Sequence, residues 1–431
     1  MDELPARFLT NRSYCTLSRS RSVTGESTFR FLLPDCIINF DGVHPDLWAL
    51  VILLVVYPFI KTELRLSFSI SSSFALAFNE STGKRLVPVD STIQCRMQSC
   101  KDSQDKKQTF SGVAFSGRVH SYAVAAIMGH STRLVALDHW NAPPLLRTSP
   151  YPSDGLYYAL DTMESKGFHV SMVKTDVASL CEPYGFPHPL TPTCGPVMLA
   201  DALDLHSVAL GSRLYDVRAL IEDEGVLPTI GFKSVDLPVH NCYSDEGTKT
   251  VVSTQEGTLE GWRNLFSACG LSLELPTCGI HDALLVTLLA EHKLWHEIHY
   301  CLYARPDFRC NNCIECHYYN ALYNAVTTKT DNFVRLLKES QTQYPETLAC
   351  LNDMKCPHRW HLFWAMIASR SDMLSKDKTY AQLVSTSQVL TSNFVRLHSG
   401  TKTLIDAEAW PNVERGLQRL MSVLSRRTRR R

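Results

Sequence analysis

Four cysteines near residue 310 have the spacing of a metal site. The stretch CLYARPDFRCNNCIEC follows the pattern C-x8-C-x2-C-x2-C and contains Cys301, Cys310, Cys313 and Cys316. Four thiolates satisfy the closed tetrahedral coordination of structural zinc, and a C-x2-C pair lets two sulfurs reach the same ion. Buried free thiols and chance clustering are the alternatives. The close spacing favours a structural Zn²⁺ without an open position for catalysis.

A smaller cluster of metal-ligating residue types lies further along the chain. The stretch CPHRWH contains Cys356, His358 and His361 in a helical and aromatic context. We interpret it as the start of a packed helix rather than as a ligand set, because its spacing matches no closed coordination pattern.

The second candidate site is a glycine turn in GVAFSGRVHSYAVAAIMG, residues 112–129. The stretch is typical of a strand, a turn and a helix. A turn followed directly by a helix N-terminus presents backbone N–H groups and the positive end of the helix dipole to a phosphate. Gly117 permits the tight turn, and Ser116 and Ser121 can add hydroxyl donors. The alternative is an ordinary strand-to-helix turn.

Strands and helices alternate around this turn. Short apolar strands separated by helices predict an α/β fold with a doubly wound parallel sheet that is covered on both faces. Ligands bind such sheets at the carboxyl ends of the strands, where Asp138, His139, Gly211 and Ser212 fall beside the turn. The predicted strands cover 111–115, 133–138, 168–173, 207–211 and 271–276, and the predicted helices cover 121–127, 153–167, 195–205 and 280–294.

The flanking sequence predicts two further regions. Residues 1–108 form an N-terminal α/β extension, in which β-prone segments at 29–40 and 64–78 flank an apolar helix at 47–60. Residues 109–325 form the sheet domain with the cysteine cluster, and residues 326–431 are helical and end in the basic tail RRTRRR.

The composition predicts a soluble, cytoplasmic, globular protein. The chain has 431 residues, 45% of them apolar, and a formal net charge of +0, so no overall charge attracts nucleic acid or membrane. The apolar run at 47–60 is too short to cross a bilayer of ~30 Å, and the N-terminus lacks the pattern of a secretory signal. We expect neither a membrane nor a nucleic-acid partner. The oligomeric state, including a homo-oligomer, stays open.

Both motifs resemble one enzyme group. The stretch FSGRVHS resembles the pyrophosphate loop S-G-G-x-D-S of the ATP pyrophosphatases in the adenine nucleotide alpha-hydrolase superfamily, with departures at Arg118 and His120. The cysteine spacing downstream of it resembles the zinc site of the QueC family of 7-cyano-7-deazaguanine synthases. The resemblance covers roughly residues 40 to 325 and leaves the C-terminal region unexplained.

The resemblance implies an ATP-dependent ligase with a pyrophosphate-loop fold. Such an enzyme uses ATP with Mg²⁺ to activate a carboxylate as its adenylate, on a deazapurine-type heterocycle or on a protein, and releases pyrophosphate. The stretch at 185–195 would form the substrate wall, with His188 either as a polar contact or within a rigid proline-rich loop. No catalytic residue is assigned. The implied nucleotide-binding residues are Ser116, Gly117, Arg118, Val119, His120, Ser121, Asp138, His139, Gly211 and Ser212.

The two departures leave other functions open. Arg118 replaces a glycine, which disfavours left-handed backbone geometry, although its guanidinium can hold a phosphate. His120 replaces an acid that is expected near magnesium, and neutral imidazole is a poor ligand for that cation. The alternatives are a nucleotide-binding protein with impaired catalysis and a zinc-stapled interaction protein.

Overall fold

The computed structural model describes part of the chain. The described residues are 7–11, 14–21, 25–34, 43–96, 110–139, 153–180, 186–212, 258–278, 280, 282–298, 319–320, 323 and 414. The predicted zinc cysteines, the cluster at 356–361 and the basic tail lie outside these residues. The predicted boundaries at residues 108 and 325 stay predictions.

The described residues form one large sheet, a smaller sheet and seven α-helices. The large sheet contains β1 (Arg7–Asn11), β2 (Tyr14–Arg21), β3 (Gly25–Leu32), β6 (Phe110–Ala114), β7 (Thr132–His139), β8 (His169–Thr175), β9 (Leu205–Leu210) and β10 (Ser272–Glu274). The smaller sheet is a parallel pair, β4 (Glu63–Ser71) and β5 (Arg85–Asp90). The helices are α1 (Pro45–Val56), α2 (Ser72–Thr82), α3 (Val119–Met128), α4 (Ser153–Ser165), α5 (Cys194–Met198), α6 (Leu259–Ala268) and α7 (Asp282–Glu291).

The strand order confirms an α/β fold with a mostly parallel central sheet. Strands β8, β7, β6, β9 and β10 lie side by side in that order, and each pair is parallel. The chain therefore adds β7 and β8 on one side of β6, and then crosses over to add β9 and β10 on the other side. This order is compatible with a doubly wound sheet, and its direction reverses between β6 and β9, which is the topological switch point.

The N-terminal residues extend this sheet. Strands β1, β2 and β3 pair antiparallel, and β3 pairs antiparallel with β8. Helix α1 is apolar around its circumference, as expected for a helix enclosed by protein, and it contacts α5 and α6. This confirms the predicted buried helix. No described helix has both the length and the apolar character needed to cross a membrane.

Buried polar groups join elements that are distant in the sequence. The fully buried Asp46 carboxylate accepts hydrogen bonds from the Ser71 backbone N–H at 2.9 Å and from its Oγ at 2.6 Å. The Arg96 guanidinium donates to Asp201 Oδ1 at 2.6 Å and to the Leu205 and Cys269 carbonyl oxygens at 3.1 and 3.0 Å. Satisfied buried groups of this kind fix one packing arrangement, because breaking one bond leaves a desolvated partner.

Two predicted elements are wrong in part. The β-prone segment at 64–78 is a strand only as far as Ser71, whose side chain accepts from the Phe74 N–H and so caps helix α2. The helix predicted at 195–205 ends at Met198, because β9 already begins at Leu205 and the chain turns between them. The other predicted strands and helices of the sheet region are confirmed to within a few residues at each end.

Helix α3 touches the end of β9 by backbone contact. An ideal Cβ placed on Gly211 would lie 2.6 Å from the carbonyl carbon of His120 and 2.7 Å from the Ser121 nitrogen. Both neighbours are backbone atoms at the helix N-terminus, so they cannot rotate away as a side chain can. Only glycine allows this approach at the switch point.

We expect Gly211→Ala to destabilise the protein by ~3 kcal/mol, since overpacking against backbone forces the strand end and the helix apart. The matched control is Gly83→Ala, at a glycine with φ +67 and no atom within 4 Å of the added Cβ, which costs ~1 kcal/mol for backbone strain alone. Denaturant unfolding measures both values. Equal losses in the two variants would contradict the close approach.

Candidate functional site

The turn between β6 and α3 is closed by its own hydroxyl groups. Ser121 Oγ accepts from the Arg118 N–H at 3.2 Å, donates to the Arg118 carbonyl oxygen at 2.9 Å and lies 3.3 Å from Ser116 Oγ. One donor and two acceptor positions are the full capacity of a hydroxyl group. The buried Ser121 side chain therefore shapes the turn, and the exposed Ser116 hydroxyl donates its hydrogen to Ser121 Oγ.

Glycine is needed at one position of the turn and not at the next. Gly117 has φ +71, and a Cβ there would lie 3.1 Å from the Ala159 Cβ of α4. Arg118 has φ −98 and ψ 169, an extended conformation that any residue adopts. An arginine at position 118 therefore causes no backbone strain, and the turn keeps its shape with this side chain present.

His120 is held inside the crevice by residues from the other side of the switch point. Its Nε2 lies 3.0 Å from Asp282 Oδ1, and its Nδ1 lies 3.4 Å from Thr277 Oγ1. Asp282 begins α7, and Thr277 follows β10. Neither residue was among the predicted site residues. Thr277 directly follows the predicted strand at 271–276, at the same edge of the sheet as the turn, and this position is the sequence signal that could have found it. Asp282 lies in the predicted helix at 280–294 and carries no such signal.

The same threonine holds the end of β9. Thr277 Oγ1 accepts from the Ser212 N–H at 3.1 Å and lies 3.1 Å from the Ser212 carbonyl oxygen. Ser212 and Thr277 are both buried. The predicted pair Gly211 and Ser212 thus lies beside His120, and Thr277 joins them into one group on the β9 side of the turn.

Asp138 and His139 form a second group at the end of β7. Asp138 Oδ2 accepts a hydrogen bond from the Tyr157 hydroxyl at 2.8 Å, and the His139 ring lies 5.0 Å from the Phe186 ring. Asp138 and His139 are each only 4% exposed. Burial lowers the pKa of His139 to about 4, with the Asp138 charge opposing this and the Arg118 charge adding to it.

His188 lies in the core. It is 1% exposed, its ring packs 4.6 Å from the Trp262 ring and 6.1 Å from the Tyr57 ring, and its Nδ1 accepts from the Leu190 N–H at 3.2 Å. Of the two interpretations of the stretch at 185–195, these contacts favour a rigid loop packed against the protein.

The described residues at this edge offer no ready-made set of protein ligands for magnesium. Asp282 is bonded to His120, Asp138 is bonded to Tyr157, and no trio of His, Cys, Asp or Glu among the described residues is placed to hold a metal ion. Mg²⁺ requires oxygen ligands in near-octahedral geometry. The position where the resemblance implies an acid carries an imidazole that already contacts a carboxylate.

The residues on either side of the cysteine-bearing segment meet. The Trp295 ring stacks on the Tyr323 ring at 4.9 Å with an angle of 3° between the planes, and Tyr323 Oη lies 3.1 Å from His296 Nε2. The Tyr122 hydroxyl of α3 donates to the Glu297 carbonyl oxygen at 3.2 Å. The described residues before the cysteine-bearing stretch, at 295–297, and after it, at 323, therefore contact each other.

One family model matches the chain. It describes a family of unknown function, DUF6395, and it covers residues 261–430, which is less than half of the 431 residues. The match includes α7 and the four cysteines and excludes the turn between β6 and α3. No curated protein and no solved structure matches the chain.

The low pKa of His139 predicts a loss of stability in acid. Between the unfolded-state pKa of about 6.5 and the folded-state value of about 4, the unfolded chain binds a proton that the folded protein does not, so stability falls as the pH falls through this window. We expect the wild-type protein to lose about 3 kcal/mol more than His139→Phe between pH 7 and pH 4. Denaturant unfolding at several pH values measures the difference. Parallel profiles for the two proteins would refute the prediction.

Proposed function

We propose that the carboxyl edge of the sheet at the β6–β9 switch point binds ATP, and that the protein is a QueC-like ligase. It activates a carboxylate as an adenylate and releases pyrophosphate. The observation that carries this proposal is the coincidence of two features. The only turn of the described strands that combines a glycine at positive φ with a following helix of ten residues leads from β6 into α3, beside the point where the strand order reverses.

The described residues have separate roles in this proposal. The first N–H groups of α3 bind the phosphates, since the first turn of a helix has donors without intrahelical acceptors. The exposed Ser116 hydroxyl joins them by rotating its hydrogen from Ser121 Oγ to a phosphate oxygen. The Arg118 guanidinium adds positive charge next to them. Asp138 and His139, at the end of β7, are buried beneath the part of the crevice that binds the adenosine.

The reaction follows from this placement. An oxygen of the substrate carboxylate attacks the α-phosphorus, the bond to the bridging oxygen breaks, and pyrophosphate leaves with that electron pair. A nitrogen nucleophile then displaces AMP. Positioning and charge stabilisation are the protein's main contributions to such a transfer. We propose a deazapurine-type heterocycle or a protein as the carrier of the carboxylate.

A nucleotide-binding protein with impaired catalysis is the second candidate. The contact between His120 and Asp282 favours it, because the acid expected at position 120 is replaced by a side chain that is bound to the protein. Pyrophosphate release distinguishes the two candidates, whereas nucleotide binding is common to both.

The exposed serine of the turn tests the nucleotide site. We expect Ser116→Ala to weaken binding of a non-hydrolysable ATP analogue by about tenfold, since a hydrogen bond to a charged group is worth ~1.5–3 kcal/mol. Ser72→Ala, at an exposed serine that begins α2, is the matched control and leaves the affinity unchanged. Isothermal titration measures both. Unchanged affinity in Ser116→Ala, or no binding by the wild-type protein, would reject the site.

The proposed structural zinc makes a separate prediction. We expect one Zn²⁺ per chain in the purified protein and a loss of more than half of it in Cys310→Ser or Cys313→Ser, because a closed site needs all four thiolates. Cys95→Ser, at a half-buried free cysteine, is the control and retains the metal. Elemental analysis by mass spectrometry measures the content. Equal zinc in all variants would place the metal elsewhere or rule it out.

A further inference from the structure

We propose that the nucleotide site balances phosphate charge with the Arg118 guanidinium in place of a protein-held Mg²⁺, so that ATP binds equally well with and without magnesium. This inference rests on the proposed function and adds to it the form in which the nucleotide is bound. It departs from the magnesium requirement that the resemblance implies.

The first step is the position of Arg118. Its backbone is the last extended residue before α3, and its N–H and carbonyl groups are both bonded to Ser121 Oγ. The root of the side chain is therefore fixed at the turn. The Arg118 charge also lowers the pKa of His139, which indicates that the guanidinium acts on the β7 side of the turn. That side is where the nucleotide lies in the proposed function.

The second step concerns the carboxylates that a magnesium ion would need. Asp282 Oδ1 is 3.0 Å from the His120 imidazole, and Asp138 Oδ2 accepts from Tyr157 at 2.8 Å. Both carboxylates are almost completely buried. Moving either one out of its buried position to a metal at the exposed turn would separate it from its partner, which costs the desolvation energy of that partner. Asp138 and Asp282 are therefore committed to the fold.

The third step compares the two cations available to the phosphates. A guanidinium binds phosphate through two parallel N–H donors and stays charged at every physiological pH. The conventional loop has glycine at position 118 and an acid at position 120, which suits a metal bridge. This chain has an added cation at the first position and no acid at the second. Compared with the conventional loop, Arg118 and His120 together favour a phosphate that is bound directly by the guanidinium over one that is bridged to the protein by a metal.

The test is a titration of the full-length protein with a non-hydrolysable ATP analogue, once with excess Mg²⁺ and once with EDTA. Ionic strength is kept equal, because salt screens contacts between arginine and phosphate. We expect dissociation constants that agree within about twofold. Arg118→Ala weakens binding by about tenfold or more in both buffers, as expected for a charge-assisted contact. Arg85→Ala, whose side chain is 71% exposed on β5, is the matched control and leaves both constants unchanged.

A second variant restores the two residue types of the conventional loop. Arg118→Gly combined with His120→Asp removes the cation and adds a carboxylate near Asp282. We expect its affinity to fall about tenfold in EDTA and to recover with Mg²⁺. Circular dichroism and thermal unfolding confirm that the variant is folded, and the single Arg118→Ala variant carries the test if it is not.

The outcomes separate this inference from the proposed function. Wild-type binding that requires Mg²⁺ overturns the inference and leaves the nucleotide site intact. Equal affinity of Arg118→Ala and the wild-type protein also overturns it, since the charge then has another source. No nucleotide binding in either buffer overturns the proposed function, and the inference with it.

Discussion

The close contact between Gly211 and the N-terminus of α3 is the constraint on which the candidate site depends. A parallel sheet whose strand order reverses opens a crevice at the carboxyl ends of the two central strands. Here the end of β9 presses against the His120 carbonyl group and the Ser121 nitrogen, where no Cβ can be placed. The turn before α3 is thereby positioned by backbone atoms, and the Ser121 hydroxyl then closes it from within.

Buried polar pairs complete this arrangement. His120 with Asp282 and Ser212 with Thr277 connect the N-terminus of α3 and the end of β9 to the region after β10. Each pair joins residues that are distant in the sequence, so the pairs form only when the sheet is assembled. Because these side chains satisfy one another, His120 is part of the structural framework of the crevice.

Periodicity and glycine placement were sufficient to predict most of the sheet and the turn. The buried α1, the strand-to-helix turn at Gly117 and the alternation from β6 to β9 follow from local patterns. Thr277 and Asp282 were missed, because their contacts with Ser212 and His120 cross 65 and 162 positions of the chain, and no local pattern encodes such a contact. The early ends of β4 and of α5 were missed for a related reason: a capping hydroxyl and a following strand stopped elements whose composition would have continued.

Helix α3 connects the turn to the segment that carries the cysteines. Its N-terminus forms the end of the turn, and one helical turn later the Tyr122 hydroxyl binds the Glu297 carbonyl group, beside the stacked rings of Trp295 and Tyr323. The Lys166 ammonium, just past α4, contacts the Glu297 carboxylate at 2.9 Å. The residues that flank the cysteines are thus fastened to the two helices that also enclose Gly117. The position of the turn is therefore coupled to residues 295–297 as well as to the end of β9.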